Sequence, residues 1–165
     1  MIHILPHLEY SIDSMKSPED INTILNSVTA PKKMVFSYLS YPDNIEFIGE
    51  VNPSGFKIVS RPKPLHVKNS FIPVIVGTIR TGRGLTVINI KMRLYLFVQI
   101  LLTIWFGGAG LGVLAGFLAV FTEGMNGVPM LFATVAFFAF GQVFARTGFY
   151  FPAKNASRRL EELLK

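Results

Sequence analysis

The chain contains no cysteine. Disulfide bonds, thiolate nucleophiles and cysteine-based metal sites are therefore excluded, and cysteine usage does not indicate a compartment. A secretory signal is also missing, because residues 1–6 hold no lysine or arginine and only a short apolar run. If the chain enters a membrane, we expect its first membrane helix to direct insertion.

Acidic residues are missing from residues 61–93, which carry seven lysines and arginines and therefore a net charge of +7. Residues 1–60 hold four lysines and seven acids, which gives −3, and residues 94–165 hold five bases and three acids, which gives +2. A basic segment directly before an apolar one is more typical of contact with anionic lipid than with nucleic acid.

Recognisable catalytic patterns are missing as well. The sequence shows no Ser-His-Asp, His-Glu-x-x-His or paired-carboxylate arrangement. Asp43, Glu46 and Glu50 are best interpreted as a solvated surface. His3 and His7 have the spacing of metal ligands on a helix, but a proline between them disfavours a helix. The sequence therefore predicts a protein that is not an enzyme, with no cofactor and no metal site.

Two long apolar runs dominate residues 94–151 and are joined by a short polar turn at residues 122–127. The first run, residues 94–121, is longer than the roughly 20 residues that cross a bilayer. We therefore expect it to begin in the interface, with Trp105 near the headgroups. The second run contains Arg146 near its end, where an arginine can extend to the headgroups. Together the runs predict a transmembrane hairpin.

The distribution of basic residues predicts the orientation of this hairpin. The turn contains Glu123 and no basic residue, whereas bases flank the other ends of both runs. We therefore expect two spans in the cell (inner) membrane, with the head and both termini cytoplasmic. The residues predicted to contact lipid headgroups are Arg80, Arg83, Lys91, Arg93, Arg146, Lys154, Arg158 and Arg159.

Small residues recur at about four-residue spacing in both apolar runs, a pattern known as a glycine zipper. Such residues let helix backbones approach closely in lipid. We favour packing between the two spans over assembly into a pore, because the spans contain few polar residues to line one. The predicted helix-packing residues are Gly108, Gly112, Gly116, Ala133, Gly141 and Ala145.

Residues 1–93 predict a head rich in strands. Ser17 followed by a proline and an acidic turn predicts a helix over about 18–28. Alternating apolar residues and glycine-rich turns predict an antiparallel meander over about 45–93. A short edge strand over 8–12 and a strand over 34–41 also fit their local patterns.

Residues 152–165 predict a C-terminal amphipathic helix that either lies on the headgroups or docks on the head. The fold class is therefore an α+β membrane protein, in which a small antiparallel β-meander head with a short N-terminal helix precedes the transmembrane hairpin (94–151) and the C-terminal helix.

Several short motifs resemble a group of small uncharacterised bacterial two-span membrane proteins. This resemblance implies a bacterial inner-membrane protein and no particular activity. The strand-rich head is also loosely similar to bacterial pleckstrin-homology-like domains. The motifs are Phe47-x-Gly49-x-Val51, Gly55-Phe56-x-Ile58, Arg61, Asn69-Ser70-Phe71-x-Pro73, Gly77, Ile79 and Trp105.

Two functions are consistent with these patterns. The first is a non-enzymatic scaffold, accessory or regulatory module whose basic head lies on anionic lipid and presents a surface to a protein partner. The second is an oligomeric membrane effector or channel assembled through the glycines of the first span. Neither function predicts contact with nucleic acid.

Overall fold

The computed structural model describes residues 5–32, 41–61, 71–82 and 84–165. Apart from Tyr41, the strand predicted over 34–41 lies outside these residues. The same holds for His3, for Arg83 and for the first two residues of the motif at 69–73.

The head is built on one sheet of six strands in the order β1-β6-β5-β4-β3-β2. The meander predicted from the sequence is confirmed for β3 to β6, which pair antiparallel in sequence order. The sheet is wider than the meander, because β1 pairs antiparallel with β6 and the short β2 pairs parallel with β3. The strands are β1 (His7–Ser14), β2 (Thr29–Ala30), β3 (Phe47–Asn52), β4 (Gly55–Ser60), β5 (Val74–Gly82) and β6 (Leu85–Arg93).

The predicted N-terminal helix is confirmed as α1 (Pro18–Val28). Its start is fixed by a capping box, in which the backbone N–H of Asp20 donates to the Ser17 hydroxyl at 3.1 Å. The backbone N–H of Ser17 donates back to the Asp20 carboxylate at 3.3 Å. Ile21 and Leu25 are fully buried against the sheet, so α1 covers part of one sheet face.

The two faces of the sheet differ because strand side chains alternate between them. One face, which we call the inner face, carries apolar residues such as Ile12, Ile88 and Ile90, all at most 2% exposed. The opposite, outer face is charged: Glu9 lies opposite Lys91 in the β1–β6 register. The covered core therefore lies on the inner face alone at these strands.

After β6 the chain is helical to its end. The helix α2 (Leu96–Glu123) leads through a 3-10 turn, Gly124–Gly127, into α3 (Val128–Leu164). Among the described residues, this stretch from Leu96 to Leu164 is the one long and apolar enough to cross a membrane. The amphipathic helix predicted for 152–165 is the last part of α3 and not a separate element.

The C-terminal end of α3 docks on the inner face of the sheet. Ala153, Ala156, Leu160 and Leu164 are at most 4% exposed and belong to the same core cluster as the strands. The Ser14 hydroxyl at the end of β1 donates a hydrogen bond to the carbonyl of Leu164. Of the two expectations for this segment, the structure therefore shows the docked one.

The helix α3 continues through Pro152, which cannot donate a hydrogen bond to the preceding turn. Burial of the residues on both sides, Phe149 and Ala153, holds the helix together at this point. On the α2 side, Leu94, Val98 and Leu102 extend the same core cluster. One core therefore joins the sheet to the first turns of α2 and the last turns of α3.

This packing predicts how the head depends on α3. Leu160→Ala should lower the free energy of unfolding by about 2–5 kcal/mol, because it leaves a cavity under the sheet. Leu163→Ala removes the same atoms from a partly buried position, so its cost should be clearly smaller. Urea unfolding of the full chain in detergent, followed by circular dichroism, measures both. Equal costs would show that the end of α3 does not complete the core.

Candidate lipid-contact site

Large apolar side chains cover the outside of α2 and α3. Leu96 and Phe97 at the head end are 72% and 75% exposed, and Phe121 and Met125 near the turn are 84% and 83% exposed. Of the most apolar 18 consecutive residues in this stretch, only 17% are buried. Soluble proteins seldom leave so large a continuous apolar surface uncovered. We call the exposed apolar side chains of residues 96–151 the apolar belt.

The length of the belt matches a bilayer. The uncharged part of α2, residues 96–122, is about 40 Å long, and that of α3, residues 128–145, is about 27 Å long. The hydrocarbon core of a membrane is about 30 Å thick. The uncharged part of α2 thus exceeds this thickness by about 10 Å, whereas that of α3 falls about 3 Å short of it and ends at Arg146.

The two helices pack against each other in opposite directions. A Cβ atom at Gly116 would lie 2.7 Å from the Cα atom of Leu131, and one at Gly141 would lie 3.3 Å from the Phe106 ring. Trp105 contacts Phe137 with ring centroids 5.4 Å apart. Trp105 lies about 14 Å from the start of α2 and packs between the helices.

The predicted helix-packing residues divide into two groups. Gly112, Gly116 and Gly141 face the neighbouring helix and Ala145 is buried in the core cluster, whereas Gly108 and Ala133 are exposed. The physical reason is that four residues turn an α-helix by about 400° and not 360°. A stripe at four-residue spacing therefore rotates away from the partner within two steps. Gly127 was not predicted, although a Cβ atom there would clash with the backbone of Ala119.

Replacing these glycines tests the helix contact. Gly116→Leu should separate α2 from α3 and lower the melting temperature of the full chain in detergent, since its Cβ would meet backbone. Gly108→Leu is the matched control, because nothing lies within 4 Å of a Cβ atom at that position. If Gly108→Leu destabilised the chain as strongly as Gly116→Leu, the helices would not pack in this way.

The basic residues of the sheet share its outer face but do not form one cluster. Arg80 lies opposite Val87, six residues before Arg93 on β6, so the two arginines are about 20 Å apart along the strands. Lys91 forms an ion pair with Glu9 at 3.2 Å. Only Arg93, the last residue of β6, lies close to the start of α2. Arg83 lies outside the described residues.

Arg159 holds α3 to the head. Its guanidinium donates two hydrogen bonds to the Glu46 carboxylate, from Nε at 2.7 Å and from Nη2 at 2.6 Å. A third bond reaches Glu162 at 3.0 Å. The hydrogen bonds to Glu46 and Glu162 raise the pKa of Arg159 well above its usual value. The structure therefore gives this arginine a carboxylate partner where the sequence analysis predicted a lipid headgroup.

Tyr10 is a second group whose pKa is shifted. Its hydroxyl is buried beneath α3 close to Ser157, but no hydrogen bond to a described residue meets normal geometry. Burial raises the pKa of Tyr10 to about 12, so the phenol stays protonated at neutral pH. Among the described residues, no cluster of three histidine or acidic side chains could hold a metal ion.

A groove on α3 brings two predicted headgroup residues together. Arg146, Thr147, Tyr150, Phe151 and Lys154 line an open groove of about 280 Å³. It lies where the apolar belt ends and polar residues begin. In the part of the chain that the structure describes, neither Arg146 nor Lys154 forms an ion pair. The groove therefore combines two unpaired positive charges with an apolar floor.

Arg158, the remaining predicted headgroup residue, is exposed one turn after Lys154 and forms no ion pair with a described residue. Of the predicted headgroup residues that the structure describes, Lys91 and Arg159 thus form ion pairs. Arg93, Arg146, Lys154 and Arg158 form none and lie near the head end of the belt, and Arg80 lies at a distant strand end. No protein-family model, curated protein or solved structure matches this chain.

Proposed function

We propose that this protein is a non-enzymatic membrane module. In this proposal α2 and α3 cross the bilayer as a hairpin and carry the head at the cytoplasmic surface, where it presents the sheet to a protein partner. The observation that carries the proposal is the apolar belt. It surrounds both helices over a bilayer's thickness and would be costly to leave in water.

The charges at the two ends of the belt support the orientation. Arg93, Arg146 and Lys154 lie at its head end, whereas the turn between the helices contains Glu123 and no base. Positive charge near membrane spans favours the cytoplasmic side. The head and both termini would therefore lie in the cytoplasm.

Anionic lipid is the proposed partner of the unpaired bases. Each basic residue close to an anionic membrane surface contributes about 1 kcal/mol of binding free energy. Arg93, Arg146, Lys154 and Arg158 are placed for this role. Lys91 is less suited, because Glu9 already compensates its charge.

The outer face of the sheet is the proposed surface for a protein partner. Its charges alternate across neighbouring strands, since Glu9 lies opposite Lys91 and Glu50 lies opposite Lys57. A surface of mixed charge lacks the excess of positive charge that would hold it on the membrane. Apart from its edge at Arg93, beside the start of α2, this face is therefore the one we expect to point away from the bilayer.

The alternative, an oligomeric channel, finds less support. The polar side chains of α2 bond to their own backbone: Gln99 donates to the Leu94 carbonyl at 2.7 Å, and Thr103 donates to the Gln99 carbonyl at 2.8 Å. Thr134 on α3 donates to the carbonyl of Met130 at 3.0 Å. These three groups satisfy themselves locally. The Oε1 atom of Gln142 on α3 is buried without a hydrogen-bond partner among the described residues, but one such group does not line a channel.

Because the chain lacks cysteine, single introduced cysteines test the topology without background. Met15→Cys and Met125→Cys are a matched pair, since the native methionines are 92% and 83% exposed. A membrane-impermeant maleimide should label Met15→Cys only from the cytoplasmic face and Met125→Cys only from the other face. Lys165→Cys should be labelled from the same face as Met15→Cys. Labelling of all three variants from one face would refute the two-span proposal.

A further inference from the structure

The bases of this protein are not equivalent, and their partners distinguish them. Lys91, Arg159 and Lys165 form ion pairs with Glu9, Glu46 and Glu161, respectively. Arg146 and Lys154 have no such partner among the described residues, although both border the groove on α3. The acids nearest to them along α3, Glu161 and Glu162, are already paired.

The five residues that line the groove all belong to α3, and they combine two cationic side chains with two large aromatic ones. Arg146, Tyr150 and Lys154 follow one another at four-residue spacing, so they lie along one side of α3 over about 12 Å. Both cationic side chains are long enough to reach towards the Tyr150 position between them. The Thr147 hydroxyl adds a donor at the same level.

The apolar part of the groove continues into the belt. Phe151 is 70% exposed and Tyr150 is 45% exposed, although both are large aromatic residues. Phe144, two turns before Phe151, is 52% exposed. An apolar chain lying along the helix here would cover surface that nothing in the described structure covers.

We propose that this groove binds one anionic phospholipid, with its phosphate between Arg146 and Lys154, its glycerol region against Tyr150 and Phe151, and an acyl chain running from there towards Phe144. This inference rests on the proposed membrane insertion. A headgroup with a net negative charge fits two unpaired cations, whereas a choline headgroup would bring its own ammonium group towards them. Bound in this way, the lipid lies at the point where α3 passes from the belt into the core of the head.

The test uses the full chain in lipid discs that contain equal amounts of phosphatidylglycerol and phosphatidylcholine. Native mass spectrometry counts the lipids retained after release from the disc. The unmodified chain should retain one phosphatidylglycerol in preference to phosphatidylcholine. Arg146→Gln with Lys154→Gln should lower this retention by at least about tenfold, given roughly 1 kcal/mol per base.

The control removes the same net charge elsewhere. Lys32 and Lys57 are exposed lysines of the head, so the double variant Lys32→Gln with Lys57→Gln should retain the lipid like the unmodified chain. An equal loss in this control would show that lipid retention depends on the net charge of the chain and not on this site. Equal retention of both lipids by the unmodified chain would also overturn the proposal.

A second pair of variants tests the apolar half of the site. Phe151→Ala should weaken retention, whereas Phe132→Ala should not, although Phe132 is also exposed at 75% in the belt. Displacement of the lipid by millimolar inorganic phosphate would assign the groove to a free anion and overturn the lipid assignment. If the lipid results fail while the cysteine labelling shows two spans, the site is refuted and the membrane proposal stands.

Discussion

The structure depends on α3, a single helix whose first half is exposed and apolar and whose last turns are buried in the head. The first half of α3 exposes apolar side chains on every side that does not face α2, whereas its last turns bury Leu160 and Leu164 under the sheet. One helix, continuous through Pro152, thus connects the apolar belt to the core of the head. A displacement of the helix in the membrane would reach the sheet directly, without passing through a flexible linker.

The same arrangement constrains folding. The inner face of the sheet is formed by residues up to Met92, but the segment that covers it arrives only after α2 and the turn. Ser14 and Leu164 are hydrogen-bonded although 150 residues separate them. Closing so long a loop costs conformational entropy before the contact stabilises anything. The core of the head is therefore complete only when the last turns of α3 are docked beside α1.

Local features were predictable because local physics determines them. The capping box of Ser17 and Asp20, the strands β3 to β6 and the extent of the apolar runs all follow from neighbouring residues. The pairing of Arg159 with Glu46 was not predictable, because 113 residues separate the two and each looks like an ordinary surface charge. The exposure of Gly108 was missed for a different reason: a spacing of four only approximates the helical repeat of 3.6 residues.

The positions and partners of the basic residues show why composition alone could not locate a site. The basic segment at 61–93 has the largest net charge of the three segments, +7, yet one of its bases faces Glu9 and another lies about 20 Å from the belt. An acidic strand, β1, contributes the compensating carboxylate from the far end of the chain. Arg146 and Lys154 lie in a segment of modest net charge, but neither forms an ion pair with a carboxylate of the described residues. The electrostatic attraction for an anionic ligand depends on unpaired charge next to an apolar surface, and in this protein that condition is met on α3.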